Sequence, residues 1–282
     1  MPNVWDAMKK HQAEQAAQAA EASEAAQVGA PTDGAPAAPA GGRPPPAGAP
    51  ATGAQTLSVS NNYAPELMVH HDRGGKITEQ YRALRTNLLA QCDNERFCLM
   101  VTSAEAGEGK TVTCVNLAMI LAERQERGTV IVDGDLRKGA VTSLLRMPRS
   151  PGLTELLRGQ ARLPEVVQPT VYPNLFVIGA GEVAHGEVGE IVGRPEMHEV
   201  VADLRQQYDY VLLDTPPVNA FSDSPILGGA AGQAIVVVRM NRTRQESVDR
   251  AIRLLRAANV EVAGIVLTHQ RYFIPKYLYR YS

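Results

Sequence analysis

Phe97-Cys98-Leu99-Met100-Val101-Thr102-Ser103-Ala104-Glu105-Ala106-Gly107-Glu108-Gly109-Lys110-Thr111 runs from a continuous apolar segment through a glycine turn into a lysine and a threonine. The run Phe97 to Thr102 does not alternate, so a strand buried on both faces is expected. A helix is expected from Lys110 to Arg127, with Gly128 placed to end it. Between strand and helix, Gly109-Lys110-Thr111 reads as the end of a phosphate-binding loop. Gly107 and Gly109 let backbone N–H groups turn toward phosphate oxygens, and the helix N-terminus adds positive potential. Lys110 would reach the β- and γ-phosphates of a bound nucleotide, and the Thr111 hydroxyl would ligate Mg²⁺. The candidate nucleotide-binding segment is Ser103, Ala104, Glu105, Ala106, Gly107, Glu108, Gly109, Lys110, Thr111 and Val112. The strict pattern wants glycine at position 104, where this chain has alanine. A dinucleotide fingerprint does not fit, because Val112 stands where it wants glycine or alanine.

Outward from this loop, strands alternate with helices. Tyr81, Leu84 and Leu88 repeat at helical spacing, giving a helix over 78–91. Thr129 to Asp133, Leu175 to Ile178, Tyr210 to Asp214, Ala234 to Arg239 and Val260 to Thr268 read as strands. Leu144–Leu145 and Leu153–Leu157 suggest short helices. Pro195 opens a helix with Met197, Val200, Val201, Leu204 and Tyr208 on one face. Thr243 and Glu246 form a capping box for a helix carrying Val248, Ile252 and Leu255. The expected class is α/β, a P-loop NTPase three-layer sandwich with a mostly parallel sheet.

Three aspartates directly follow apolar strands: Asp133 and Asp135 after one, Asp214 after another. In a parallel sheet they gather with the phosphate loop at the carboxyl ends of the strands. Carboxylates belong there because Mg²⁺ prefers hard oxygen ligands and retained waters. The metal set is Thr111, Asp133 and Asp214, with Asp214 holding a metal-bound water. Lys110, Asp133 and Asp135 form the catalytic set. One of the two neighbouring aspartates would contact the metal while the other takes a proton from an attacking hydroxyl.

Composition narrows the class. The 282 residues carry a net charge of -2, so a uniformly basic nucleic-acid surface is not indicated and no nucleic-acid partner is expected. Cys92, Cys98 and Cys114 are odd in number without a C-x-x-C pair, and read as reduced structural thiols. No apolar run approaches the roughly 20 residues of a membrane span, and the first residues lack the apolar core of a signal peptide. The expected location is cytoplasmic, with membrane association only through a partner. Residues 1–60 read as an Ala/Pro/Gly-rich disordered tail. Within it, 11–28 suit a polar helix, and Val4, Trp5 and Met8 make either a docking motif or an untethered end. Residues 61–270 read as one P-loop domain, nucleotide-hydrolysing or phosphoryl-transferring, and 271–282 as a tyrosine-rich tail.

Taken together, the motifs resemble those of the bacterial tyrosine kinases linked to exopolysaccharide and capsule synthesis, within the MinD/ParA group of P-loop ATPases. Glu79-Gln80-Tyr81-Arg82-Ala83-Leu84-Arg85 resembles that family's E-x-x-R-x-x-R helix. Ser103 to Thr111 resembles its Walker A loop. Ile131-Val132-Asp133-Gly134-Asp135-Leu136-Arg137 is similar to its second acidic motif, and Leu212-Leu213-Asp214-Thr215-Pro216-Pro217 to its Walker B. Pro151 to Gly159 is similar to a stretch between them. Ala106 stands where the family usually has proline, and the P-N-P-x-E-L-L segment is only faintly present at His185 to Ile191. Glu105 and Ala106 occupy the position of the extra lysine of partitioning ATPases.

The resemblance implies ATP and Mg²⁺ as cofactors and a tyrosine hydroxyl as acceptor. It implies a ring-like homo-oligomer with Glu79, Arg82 and Arg85 at the subunit contact. A membrane-embedded polysaccharide co-polymerase or chain-length regulator would be the activating partner. Tyr272, Tyr277, Tyr279 and Tyr281 are the candidate phosphoacceptors, modified in trans. Phe273, Ile274, Pro275 and Leu278 leave open that this tail packs instead, with its tyrosines as amphipathic anchors. A second reading also stays open: an ATPase switch that controls assembly of a membrane polysaccharide machine without tyrosine kinase activity.

Overall fold

The computed structural model describes residues 62–91 and 96–270. The expected disordered tail, the polar helix, Cys92 and the four tyrosines at 272–281 lie outside these residues.

The chain opens with α1 (Met68–His71) and α2 (Lys76–Ala90), then β1 (Phe97–Ser103) and α3 (Lys110–Leu121). There follow β2 (Thr129–Asp133), α4 (Ala140–Leu145), α5 (Leu153–Leu157), α6 (Leu163–Val166), β3 (Val167–Pro169) and β4 (Leu175–Ile178). After a short 3₁₀ turn come α7 (Val188–Val192), α8 (Glu196–Gln207), β5 (Tyr210–Asp214), α9 (Asp223–Ala231), β6 (Gln233–Arg239), α10 (Gln245–Ala257) and β7 (Glu261–Thr268). The seven strands order as β3-β4-β2-β5-β1-β6-β7. Their pairings are parallel except β3 against β4, a three-residue antiparallel edge that no sequence pattern announced.

The apolar strand runs are explained by burial on two sides. In β1, Cys98 and Met100 join one apolar cluster while Phe97, Leu99 and Val101 join the other. β5 divides the same way, Val211 and Leu213 against Tyr210 and Leu212. This is the period-two consequence of a pleated sheet with helices on both faces. The first cluster receives α5 to α10, and the second receives α1 to α4. Each fully buried Leu or Val side chain contributes about 1.5–3 kcal/mol of transfer free energy.

Ten of the twelve residues of α3 are buried, since sheet and helices enclose it. Asn116 makes that burial tolerable. Its Oδ1 accepts the Val69 N–H at 3.0 Å, and its Nδ2 donates to the Val112 carbonyl at 2.9 Å.

Helix α3 ends at Leu121 rather than at the expected Arg127, and Gly128 does not end it. Asn174, distant in sequence, donates its Nδ2 to the Arg124 and Arg127 carbonyls at 2.9 and 2.8 Å. Glu123 is taken by Arg82 and Arg85 of α2. These tertiary bonds hold the segment in turns. The helix expected over 78–91 spans Lys76–Ala90. The helix behind Pro195 is present, with Met197, Val201, Leu204 and Tyr208 buried.

Candidate active site

β1, β2 and β5 lie side by side, with Asp133 in register with Asp214. Parallel strands end on one edge, so the phosphate loop after β1 and the acidic ends of β2 and β5 converge. Gly134 permits the closest approach, because its N–H reaches the Asp214 carbonyl at 2.8 Å. A Cβ there would stand 2.9 Å from the same oxygen.

The loop is glycine-dependent where its backbone turns left-handed. Gly107 has φ +81° and Gly109 φ +92°, a region that costs other residues about 1–2 kcal/mol. Glu105, Ala106 and Gly107 form an exposed crest, and α3 begins behind them at Lys110. Ala104 is fully buried in the core, so the missing glycine is replaced by a methyl that packs. The Ser103 hydroxyl donates to the Glu105 carbonyl at 2.7 Å, and Val112 sits in the first turn of α3.

Lys110 and the three aspartates meet. Lys110 Nζ donates to Asp135 Oδ2 at 2.9 Å and lies 3.6 Å from Asp214 Oδ2. The Thr111 hydroxyl donates to the same Asp214 oxygen at 2.8 Å. Asp133 Oδ2 accepts the Val141 N–H at 3.0 Å, at the start of α4. All four charged groups are buried. Burial works against the Lys110 charge, but Asp214 and Asp135 outweigh it and hold its pKa above the usual lysine value. Burial pushes Asp214 up to about 6 against the pull of Lys110. Burial and the neighbouring Asp214 charge push Asp133 well above the carboxylate range.

One lysine does not balance three buried carboxylates. Asp133 Oδ1 and Asp214 Oδ1 are buried without a hydrogen-bond partner among the described residues. Unsatisfied buried oxygens of this kind are costly unless a ligand takes them. Hard carboxylate oxygens beside a threonine hydroxyl suit Mg²⁺, and the glycine crest suits phosphate. The residues therefore fit a magnesium-nucleotide.

Two members of the expected ATP-binding segment have side chains turned away from the loop mouth. Ala104 faces the core. Glu108 is buried and its carboxylate accepts the N–H groups of Glu105, at 2.6 Å, and Arg239, at 3.3 Å. It also accepts the hydroxyl of Thr243, the residue expected to cap α10. Thr268, at the end of β7, donates its hydroxyl to the Glu108 carbonyl at 2.8 Å. Thr243 and Thr268 escaped the motif reading. Their one signal is a polar residue at, or just past, the carboxyl end of an apolar strand.

Glu79, Arg82 and Arg85 lie on α2. Arg82 bonds Glu79 at 2.5 Å and Glu123 at 2.6 Å, and Arg85 bonds Glu123 at 3.0 Å. Arg85 also donates to the Ile120 carbonyl at 2.7 Å. Arg82 chiefly holds the Glu123 carboxyl below its usual pKa. At the end of the second acidic motif, Arg137 pairs with Asp223 and stacks over the exposed Phe221 ring at 4.4 Å.

Comparison with known proteins bears on this geometry. The AAA domain family profile matches residues 98–260, more than half of the chain. EpsB of Ralstonia nicotianae is 38% identical over 189 residues, covering 67% of this chain and 25% of EpsB. This chain thus spans about a quarter of that relative. The tyrosine-protein kinase YwqD of Bacillus subtilis is 31% identical over 195 residues, covering 69% of this chain and 81% of YwqD. The solved kinase domain of Escherichia coli tyrosine kinase ETK superposes with a TM-score of 0.69 at 27% identity. That match covers 78% of this chain and 88% of the ETK chain. With the phosphate loop, both acidic strand ends and these relatives in agreement, the chain belongs to the bacterial tyrosine kinase family of P-loop proteins.

Proposed function

We propose that this chain is an ATP-dependent protein-tyrosine kinase acting in exopolysaccharide or capsule synthesis or export. One observation carries the reading: Lys110 and Thr111 meet Asp133, Asp135 and Asp214 in a buried site with two unpartnered carboxylate oxygens. Bound Mg²⁺ would supply charge neutralisation for the phosphates, held by Thr111 and Asp214 with Asp133 beside them.

The chain's own residues would do the rest. The crest and the N-terminus of α3 bind phosphate oxygens, and Lys110 leaves Asp135 for the β- and γ-phosphates of the ATP substrate. Asp135, freed from Lys110, accepts the proton of the acceptor phenol. The phenol oxygen forms a bond to the γ-phosphorus, the bond to the β-phosphate oxygen breaks, and ADP departs with that electron pair. The transition state is loose, so positioning and charge carry most of the catalysis. The acceptors would be Tyr272, Tyr277, Tyr279 or Tyr281 of a neighbouring copy.

We further propose a ring-like homo-oligomer with Glu79, Arg82 and Arg85 at the contact. Because Glu123 of the same chain already holds both arginines, a neighbour must take them from it. An Arg82→Ala/Arg85→Ala form should then sediment as a smaller species than the parent. No helix among the described residues is long and apolar enough to cross a membrane. Peripheral placement at the inner membrane face, through a membrane-embedded co-polymerase, completes the proposal.

The test is mass spectrometry of the chain after incubation with Mg-ATP and the cytoplasmic segment of its membrane partner. Phosphotyrosine is expected on the parent and none on Lys110→Met. A parent without phosphotyrosine contradicts the kinase. If it still hydrolyses ATP, the assembly-switch reading takes its place.

A further inference from the structure

A carboxylate inside a phosphate-binding loop is an unfavourable placement, because its charge opposes that of the ligand. Glu108 avoids this by pointing away from the loop mouth, and its side chain is occupied on both oxygens. Oε2 accepts the Glu105 N–H at 2.6 Å. Oε1 accepts the Arg239 N–H at 3.3 Å and the Thr243 hydroxyl. The Glu108 carbonyl accepts the Thr268 hydroxyl at 2.8 Å. One residue therefore ties together the crest of its own loop, the end of β6 with the turn after it, and the end of β7.

This clamp lies on the β6 and β7 side of the loop, opposite the aspartates of β2 and β5. Neither Ala104 nor Ala106 restricts the backbone as a ring would. We infer that Glu108 is a positioning residue for the phosphate loop. It sets the crest through the Glu105 N–H before ligand arrives, and so keeps Lys110 and Thr111 in register with Asp135 and Asp214. The inference rests on reading the loop as a nucleotide site.

The chemistry at position 108 is restrictive. Three donors converge on two acceptor oxygens. A glutamine offers one acceptor and one amide donor, so part of that donor set would face an N–H group. An aspartate is one methylene too short to span both sides.

The experiment uses the full chain, with Mg-ADP as probe. Amide hydrogen exchange at Glu105 without nucleotide, Mg-ADP affinity and thermal midpoint are measured on the parent and Glu108→Gln. Exchange at Glu105 is expected to quicken about tenfold and the Kd for Mg-ADP to rise about tenfold, the scale of a charge-assisted hydrogen bond. A purely structural role would lower the midpoint and leave the Kd in place. Should Glu108→Gln fail to fold, Thr243→Val and Thr243→Ser decide. The valine form is expected to lose about threefold in affinity, and the serine form to match the parent. A folded Glu108→Gln with unchanged Glu105 exchange and a Kd within about twofold of the parent overturns the inference. So does a Thr243→Val form that binds as the parent does. A parent that binds no Mg-ADP overturns the nucleotide reading and this inference with it. A parent that binds, beside a Glu108→Gln form that binds equally, overturns the inference alone.

Discussion

The two flanks of the phosphate loop use buried carboxylates in opposite ways. On the β6 and β7 flank, both Glu108 oxygens are taken by backbone and hydroxyl donors. On the β2 and β5 flank, Asp133 and Asp214 each keep one buried oxygen without a partner, and Asp214 titrates at about 6. Equal burial thus accompanies two different states. A fully hydrogen-bonded carboxylate fixes a loop, whereas an under-satisfied one waits for a cation. The charge of the residue does not distinguish the two roles; the donors that surround it do.

Lys110→Met should break the acidic flank most severely. It removes the cation that pairs with Asp135 and Asp214, and phosphotyrosine formation should fall on the order of a hundredfold or more. Its loss also leaves Asp135 and Asp214 repelling each other, so circular dichroism should accompany the assay to verify folding.

Asp214→Asn should separate function from stability. The folded pKa of Asp214 is raised from 3.8 to about 6, so the native chain holds this proton more tightly than the unfolded chain. The group's contribution to stability therefore falls as pH rises from about 4 to about 6, and the penalty is fully present above that. Thermal melts should show Asp214→Asn gaining on the parent as pH rises through this window, with the difference narrowing toward pH 4. The same variant should lose Mg²⁺-dependent nucleotide affinity by about tenfold or more. In the parent, Mg-ADP affinity should weaken below about pH 6, where protons compete with the metal for these carboxylates. Titration calorimetry across pH checks both.

Two smaller changes sharpen the comparison at the loop itself. Gly109→Ala meets no steric neighbour closer than Thr268 Cγ2 at 3.7 Å, so its cost is the left-handed backbone, about 1–2 kcal/mol. That corresponds to a fall of roughly 2–8 °C in melting temperature. Ala104→Gly would restore the strict loop pattern but remove a fully buried methyl. It should destabilise by about 1 kcal/mol without tightening nucleotide binding. Denaturant titration with a parallel binding curve distinguishes the two effects.

The parts of this site that a reader of the sequence could find are those held by local pattern. The apolar runs ending in Asp133 and Asp214, and the glycine turn before Lys110, each carry their structural context within ten residues. Parallel pairing then brings them to one edge. What escaped depends on partners far along the chain. The end of α3 is set by Asn174, about fifty residues on. Thr243 reads as a helix cap because Glu108, 135 residues earlier, is invisible to a local window. Glu108 itself reads as one more loop residue until β6 and β7 are laid beside β1. Short β3 gave no signal, since three residues cannot display a period.

The most direct measurement is titration calorimetry of Mg-ADP into the parent chain and into Lys110→Met, each with Mg²⁺ and with EDTA. One site per chain is expected on the parent, weakened by EDTA and lost in Lys110→Met. Equal binding by both chains, or binding by the parent that ignores the metal, would contradict a site built by Lys110, Thr111 and the three aspartates.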